Sequence, residues 1–409
     1  MTALQTLTFL IVLLTLAGVA FGKLPGLPLN RAGIATLGAS ALIAVGAVSI
    51  HDAWALIDGE VITLLFALMV INSVLTHAGF FRWLTRATVS QARHPLTLLT
   101  LLCLASGVLS ALFLNDTVVL MLTPLVIGVC RELRLAPVPF LVALAASANV
   151  GSVATITGNP QNLIIGIQGG FSFLGFAAAL TPVALVGLAI VISVVALANL
   201  QLFRQPLTAL PSEGSDSSPM QRRRLLRCGL VVLGMLVAFT LGVPVAKAAL
   251  LASATLLFVS GVESEQLLTD LDWQLLLLFS GLFITVGTLG TSGLSVQLFT
   301  LLGPLLEHSL LALSALTALL SNLLSNVPAV LLLAPHVAQL SEPRTAWLVV
   351  AMASTLSGNL TLVGSVANLI VAERAKAQGV TLSFWAYLRL GLPITLLTLA
   401  FGTFWLLRV

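Results

Sequence analysis

The chain has 409 residues, of which 58% are hydrophobic and 8% are charged, and its formal net charge is +4. Ordinary globular proteins contain roughly 45–50% apolar and about 25% charged residues. A soluble protein of this size could not cover its surface with so few charges, so the composition predicts an integral membrane protein. The small positive charge is typical of basic cytoplasmic loops and indicates no nucleic-acid partner.

The apolar residues form runs that predict membrane-spanning helices, because about 20 such residues cross the hydrocarbon core. The first run, 4–22, has no basic residue before it and no small-x-small cleavage site after it, so we interpret it as a span and not as a signal peptide. The fold class is therefore all-α. The apolar runs lie at about 4–22, 32–50, 60–78, 96–114, 117–130, 137–153, 160–169, 174–203, 226–242, 244–261, 272–291, 296–320, 327–340, 345–357, 364–372 and 384–407.

The segment 204–227 interrupts this pattern. It contains two prolines, a stretch rich in Ser, Glu, Gly and Asp, and three consecutive arginines, which predicts a flexible cytoplasmic linker. It divides the chain into a first membrane repeat, 1–203, and a second membrane repeat, 228–409.

The two halves carry the same features in the same order. If each half contains five full spans and one element that enters and leaves on the same side, the halves insert with opposite topology. We therefore expect an inverted repeat. Matched pairs at offsets between 206 and 214 residues are Asp58 with Asp272, Asn115 with Asn326, and Gly158 with Gly364.

The basic residues predict the orientation in the cytoplasmic (inner) membrane. With both termini outside, only Lys247, Arg344 and Arg408 of the 18 Lys and Arg residues lie outside, and the remaining 15 lie in the cytoplasm. Basic residues are enriched in cytoplasmic loops, so the reverse orientation would need the opposite bias.

Polar residues and helix breakers interrupt the apolar sequence at two places in each half. A broken helix at membrane depth is tolerated where it lines a cavity or is buried in protein, and its free N–H and C=O groups can bind ions. The symmetric arrangement predicts one central site. Ordinary polar contacts between helices are the alternative, but they do not explain the paired Gly and Pro residues. The four breaks are 114–117, 155–162, 325–328 and 359–368.

Asp116 is the one acidic residue of 14 that falls within such a break and away from the loops and span ends. The sequence offers it no obvious cationic partner. Because an ionised carboxylate is costly in the membrane, it needs a bound sodium ion or a proton. We therefore predict that Asp116 is the coupling-ion site. A carboxylate stabilised by helix N-termini and hydroxyls, without a transport role, is the alternative.

The four breaks resemble those of the ion-transporter superfamily of citrate-transporter-like permeases, which includes arsenite efflux permeases and divalent anion/sodium symporters. The resemblance covers roughly residues 10–407. It implies about ten spans plus two re-entrant hairpins, at about 96–130 and 296–340, whose tips meet the unwound segments at the bilayer midplane. The tips here read Asn115-Asp116-Thr117 and Ser325-Asn326-Val327. They depart from the Ser-Asn-Thr tips of the symporters, which argues against a sodium-coupled dicarboxylate importer.

These observations predict a secondary transporter and no enzyme, since neither a catalytic motif nor an ATPase domain is present. Its predicted partners are a small-molecule solute and membrane lipid. It needs no cofactor beyond a coupling sodium ion or proton. Assembly as a homodimer is an open alternative to a monomer. The solute is a small anion or an arsenite-like hydroxide; a sodium/proton antiporter and a passive anion channel are the alternatives. The predicted substrate-binding residues are Asn115, Thr117, Asn159, Asn162, Ser325, Asn326, Thr361, Ser365 and Asn368, and the predicted coupling-ion residues are Asp116, Asn115, Gly158, Asn326 and Gly364.

The predicted topology can be tested with single cysteines. After the three native cysteines have been replaced, Thr2→Cys should react in intact cells with a membrane-impermeant thiol reagent, and Ser215→Cys should react only once the cells are permeabilised. Labelling of Ser215→Cys from outside would contradict the orientation.

Overall fold

The structure is a computed structural model that describes residues 2–22, 28–204, 219–291 and 309–408. Within these ranges it contains α-helices and two 3₁₀ helices and no strand, so the predicted all-α class is confirmed there. The first half forms α1 (Ala3–Phe21), α2 (Arg31–Ala44), α3 (Ile50–Leu56), α4 (Gly59–His77), α5 (Phe80–Ser90), α6 (Pro95–Leu112), α7 (Asn115–Glu132), α8 (Pro137–Ser152), α9 (Pro160–Gln168), α10 (Phe173–Ala198) and α11 (Leu200–Arg204). The second half forms α12 (Pro219–Thr240), α13 (Val245–Val259), α14 (Ser264–Thr269), α15 (Trp273–Thr291), α16 (Leu310–Leu324), α17 (Asn326–Val337), α18 (Pro343–Leu356), α19 (Val366–Ala377) and α20 (Phe384–Leu406).

Six of the described helices are long and apolar enough to cross a membrane, namely α1, α4, α6, α10, α15 and α20. Most of the others are shorter, and α7 and α12, which are long enough, each contain three or more charged residues. The number of spans therefore stays a prediction. Most of the predicted linker lies outside the described residues. Its last part is helical, because α12 already begins at Pro219 and includes the three consecutive arginines. Within the predicted linker, 204–227, the described residues from Pro219 onward are therefore helical.

The described helices recur in the same order in the two halves. α4 and α15 both have 19 residues, and each follows an aspartate whose carboxylate accepts hydrogen bonds from the first turn. Asp58 accepts from the amides of Glu60 and Val61, and Asp272 accepts from the amide of Leu275. Such capping satisfies amides that have no partner within the helix. A helix pair, a broken helix and a long helix with an internal proline follow in each half.

The helices pack in two groups, and each group combines both halves of the chain. In the first group α2 packs against α15, and α4 packs against α13. Gly281 permits the α2–α15 approach, since an added Cβ would lie 2.7 Å from the Ala35 carbonyl carbon. In the second group α6 packs against α8, α7 against α19, α9 against α17, and α10 against α20. Contacts between the two groups are fewer, which leaves room for a site between them.

A glycine pair sets the distance between α6 and α8. A Cβ atom on Gly151 of α8 would overlap the backbone of Gly107 in α6, whereas a Cβ atom on Gly128 of α7 would meet nothing within 4 Å. We predict that Gly151→Ala lowers the free energy of unfolding by about 1–3 kcal/mol, because the two helices must separate. Gly128→Ala is the matched control and should be neutral or slightly stabilising. Thermal unfolding of the purified variants in detergent measures both, and equal stabilities would contradict the close packing.

Candidate functional site

Two helix pairs, α6–α7 and α16–α17, end in tips that belong to the predicted breaks. In the first, α6 stops at Leu112 and α7 begins at Asn115, whose side-chain oxygen accepts a hydrogen bond of 3.0 Å from the Asp116 amide. In the second, Ser325 alone separates the two helices, with a φ of 82°. Backbone in this left-handed region is uncommon for a residue other than glycine. The first residues of α7 and α17 thus stand at the two tips.

Two broken helices lie beside these tips. α8 ends at Ser152, and after a 3₁₀ turn at Ile156–Gly158 the chain restarts as α9. α18 ends at Leu356, and after a 3₁₀ turn at Ser357–Asn359 the chain restarts as α19. In each break, the carbonyl groups at the C-terminal end of the first helix have no helical partners. The same holds for the amides at the N-terminus of the helix that follows.

An asparagine closes the first break. The Asn162 side-chain amide donates to the Ser152 carbonyl at 3.0 Å and to the Thr155 carbonyl at 3.0 Å. The Thr155 hydroxyl in turn donates to the carbonyl of Ala111, near the end of α6. Asn162 is completely buried, and its side-chain amide satisfies these two backbone carbonyls.

Asn368 closes the second break in the same way. Its side-chain amide donates to the Gly358 carbonyl at 2.8 Å and to the Thr361 carbonyl at 3.0 Å. Donor and acceptors are each shifted by 206 residues from those of the first break. The Asn322 amide of α16 adds a bond of 3.0 Å to the Ser357 carbonyl. Asn162 and Asn368, both predicted as substrate ligands, therefore make matching bonds that close the two breaks.

Asn149 links the two halves of the chain. Its side-chain oxygen accepts from the Asn115 amide at 3.0 Å and from the Ser365 hydroxyl at 3.1 Å. Its own amide donates to Asn359 at 2.8 Å and to Asn368 at 3.1 Å. Sequence reasoning missed this residue. The available signal was a single Asn within the otherwise apolar run of α8.

A cavity of about 50 Å³ opens between the two helix groups, where both tips and both restarted helices meet. Its polar wall is built by the N-terminal ends of α7, α9, α17 and α19, and its apolar wall by α1 and α15. Helix N-termini present free amides and partial positive charge. The cavity is lined by Val19, Arg31, Asn115, Asp116, Pro160, Gln161, Leu275, Leu278, Phe279, Leu282, Ser325, Asn326, Val327, Pro328, Ser365 and Val366.

Five of the predicted site residues line this cavity, namely Asn115, Asp116, Ser325, Asn326 and Ser365. The other seven do not, namely Thr117, Asn159, Asn162, Thr361, Asn368, Gly158 and Gly364. Asn159 instead donates to the Ser152 hydroxyl at 2.9 Å and to Thr355 at 3.2 Å. The two glycines permit close approach, since a Cβ on Gly364 would lie 2.9 Å from the Gly358 carbonyl oxygen. Asn159 and the two glycines therefore shape the helix breaks beside the cavity.

Arg31 and Gln161 are cavity residues that sequence reasoning did not place in the site. Arg31 is the first residue of α2, and we assigned it to a cytoplasmic loop. In the structure it lines the cavity and interacts electrostatically with Asp116. Asp116 therefore shares its cavity with a cationic side chain that the sequence did not indicate. Among the described residues, no group of three or more His, Cys, Asp or Glu side chains could hold a metal ion.

Comparison with known proteins agrees with this architecture. The family described as citrate transporter matches residues 10–356. The chain belongs to this family. The resemblance found in the sequence is thereby confirmed, and the chain is a membrane transporter by family.

Named relatives of this chain come from several organisms. The chain is 33% identical to the silicon efflux transporter of Oryza sativa subsp. japonica, with 93% of each chain covered. It is 34% identical to a 46 kDa membrane protein of Mycobacterium leprae over 86% of each chain. It is 27% identical to the arsenical pump membrane protein of Escherichia coli over 88% of this chain and 90% of that protein.

A solved structure shares the fold. The crystal structure of the Alcanivorax borkumensis YdaH transporter aligns with a TM-score of 0.62, covers 99% of this chain and 97% of its own, and is 16% identical. This likeness concerns the fold alone.

The two kinds of asparagine should respond differently to truncation. We predict that Asn368→Ala lowers the free energy of unfolding by about 1–3 kcal/mol, because buried carbonyls lose their donor. Asn326→Ala, at the cavity surface, should have a much smaller effect on stability and should weaken solute transport about tenfold. Thermal unfolding in detergent and solute flux in proteoliposomes measure the two effects. If Asn326→Ala proves the more destabilising of the two and leaves transport unchanged, the division into support and site residues is wrong.

Proposed function

We propose that this protein is a secondary active transporter that moves a small, uncharged hydroxide, such as that of silicon or arsenic, across the cytoplasmic membrane. A proton or sodium gradient drives the movement through Asp116. The observation that carries the proposal is the meeting of four helix N-termini and one carboxylate in a single small cavity. The named relatives that act on silicon and arsenicals support the choice of solute.

The size of the cavity favours a small solute. A volume of about 50 Å³ holds about four water molecules at roughly 10–15 Å³ each. A central atom with three or four hydroxyl groups matches this space. Citrate, with 13 non-hydrogen atoms, would need the cavity to enlarge considerably.

The chemistry of the lining favours a solute that both donates and accepts hydrogen bonds. The helix N-termini and Arg31 supply donors only, whereas the ionised carboxylate of Asp116 supplies acceptors only. Ser325 and Asn326 supply both. A hydroxide can place lone pairs on the N–H groups and its own O–H on Asp116. A carboxylate or other anion without hydroxyl groups would instead be repelled by Asp116.

The two tips support alternating access. Secondary transporters with repeated halves hold the solute near the midplane at broken helices and move one bundle against the other. Here the cavity lies between two such bundles, and one wall of it belongs to each. We infer that α6–α7 and α16–α17 are re-entrant hairpins in an inverted repeat of ten spans, as the sequence resemblance implies.

Asp116 should be needed for coupling and dispensable for passive movement. Asp116→Asn keeps the shape and most of the hydrogen bonds but removes the charge, so we predict loss of gradient-driven accumulation while exchange of solute persists. Proteoliposomes containing the purified protein, with silicic acid or arsenous acid on one side and a pH or sodium gradient, give both rates. Glu265→Gln, an exposed carboxylate on α14, is the matched control.

The same vesicles separate this proposal from a sodium/proton antiporter. An antiporter would exchange the two cations with no solute present and without any effect of silicic or arsenous acid. Accumulation by Asp116→Asn equal to that of the unchanged protein would show that the carboxylate does not couple transport. A panel with phosphate, sulfate and citrate tests the preference for an uncharged solute.

A further inference from the structure

The cavity has one charge on each wall. Arg31 belongs to the helix group that contains α1, α2 and α15, whereas Asp116 belongs to the group that contains both tips. They are the charged residues among those that line the cavity. Any movement of one helix group against the other must therefore change the distance between these two side chains.

Arg31 and Asp116 line the same cavity. Among the described residues, neither of them belongs to an ion pair such as His51 with Asp52 or His77 with Asp270. They interact electrostatically across the cavity. The guanidinium group rests beside Gly22, where an added Cβ would lie 3.2 Å from the Arg31 Nε atom.

Two further carboxylates act on this pair. Glu373 of α19 attracts Arg31, and Asp272 at the start of α15 repels Asp116. Asp272 has its carboxylate engaged with the Leu275 amide at 3.1 Å. Arg31 is thus the cationic side chain that acts on Asp116 across the cavity.

We propose that Arg31 is a positioning residue that acts through Asp116: while Asp116 is ionised and the site is empty, the attraction holds the two helix groups in the arrangement seen here. A proton or sodium ion on Asp116 replaces Arg31 as its partner and releases the hold. The inference rests on the proposed transport function, because such a hold would link the change of facing side to cation binding at Asp116.

The physical basis is the low dielectric of a partly enclosed cavity. Opposite charges attract more strongly there than in water, and separating them leaves each one poorly solvated. Neutralising either partner removes this cost. Cation binding and the change of facing side are therefore linked, and the linkage must work in both directions.

The experiment measures which side of the membrane the cavity faces and needs no solute. A cysteine at Val327, which lines the cavity, is introduced after the native cysteines have been replaced. An impermeant thiol reagent is applied to right-side-out and inside-out vesicles at alkaline pH without sodium. With Arg31 present, labelling should occur from one side. Arg31→Gln should raise the labelling rate from the other side about tenfold, the size of a typical coupling between sites.

Three variants control the interpretation. Arg31→Lys keeps the charge and should label as the unchanged protein does. Arg93→Gln removes an exposed arginine outside the cavity and should have no effect. Asp116→Asn removes the same attraction from its other end, so it should reproduce Arg31→Gln, and the double variant should add nothing. If Arg31→Gln does not fold, Asp116→Asn tests the same attraction in its place.

The outcomes separate this inference from the proposed function. If labelling is the same with Arg31, with Arg31→Gln and with Asp116→Asn, the attraction does not hold the site and the inference is overturned. If labelling depends on Arg31 while neither silicic nor arsenous acid is transported, the inference stands and the proposed solute is wrong.

Discussion

The fold depends on how two interrupted helices satisfy their backbone groups away from water. Each unpaired carbonyl or amide in the hydrocarbon region would cost several kcal/mol. Asn162 and Asn368 meet this requirement with matching pairs of bonds to carbonyls at the end of each break. Those carbonyls are thus satisfied within the protein, and the first residues of the restarted helices, Pro160 and Gln161 of α9 and Val366 of α19, line the cavity. The polar wall of the site therefore lies beside the two closed breaks.

Charge then decides what the cavity can hold. Four helix N-termini and Arg31 supply positive potential, and Asp116 supplies one negative charge that must be paired. This balance is the basis of the proposed neutral solute with hydroxyl groups and of the proposed cation at Asp116. Since the two walls belong to different helix groups, the proposed attraction between Arg31 and Asp116 also bears on whether the groups can move.

Part of this arrangement was readable from the sequence and part was not. Gly, Pro and Asn within apolar runs predicted the breaks, and Asp116 and Asn326 were predicted as site residues because they stand at the tips. The bonds by which Asn162 and Asn368 close the breaks were not readable, since an amide that closes a helix break and one that binds a solute look alike in the sequence. Arg31 was missed because a basic residue at the edge of an apolar run usually belongs to a loop. Only the packing of α2 places it opposite Asp116.

The central claim is that tips from both halves of the chain form one site. The most direct test introduces Asn115→Cys and Asn326→Cys together in a protein without other cysteines, and adds mercuric ion, which bridges two thiols that are close in space. The account predicts a bridged pair that no longer reacts with a thiol reagent, whereas Asn115→Cys combined with Val363→Cys, whose position is 60% exposed, stays reactive. If the two tip cysteines each react freely and are not bridged, the two tips do not share a site.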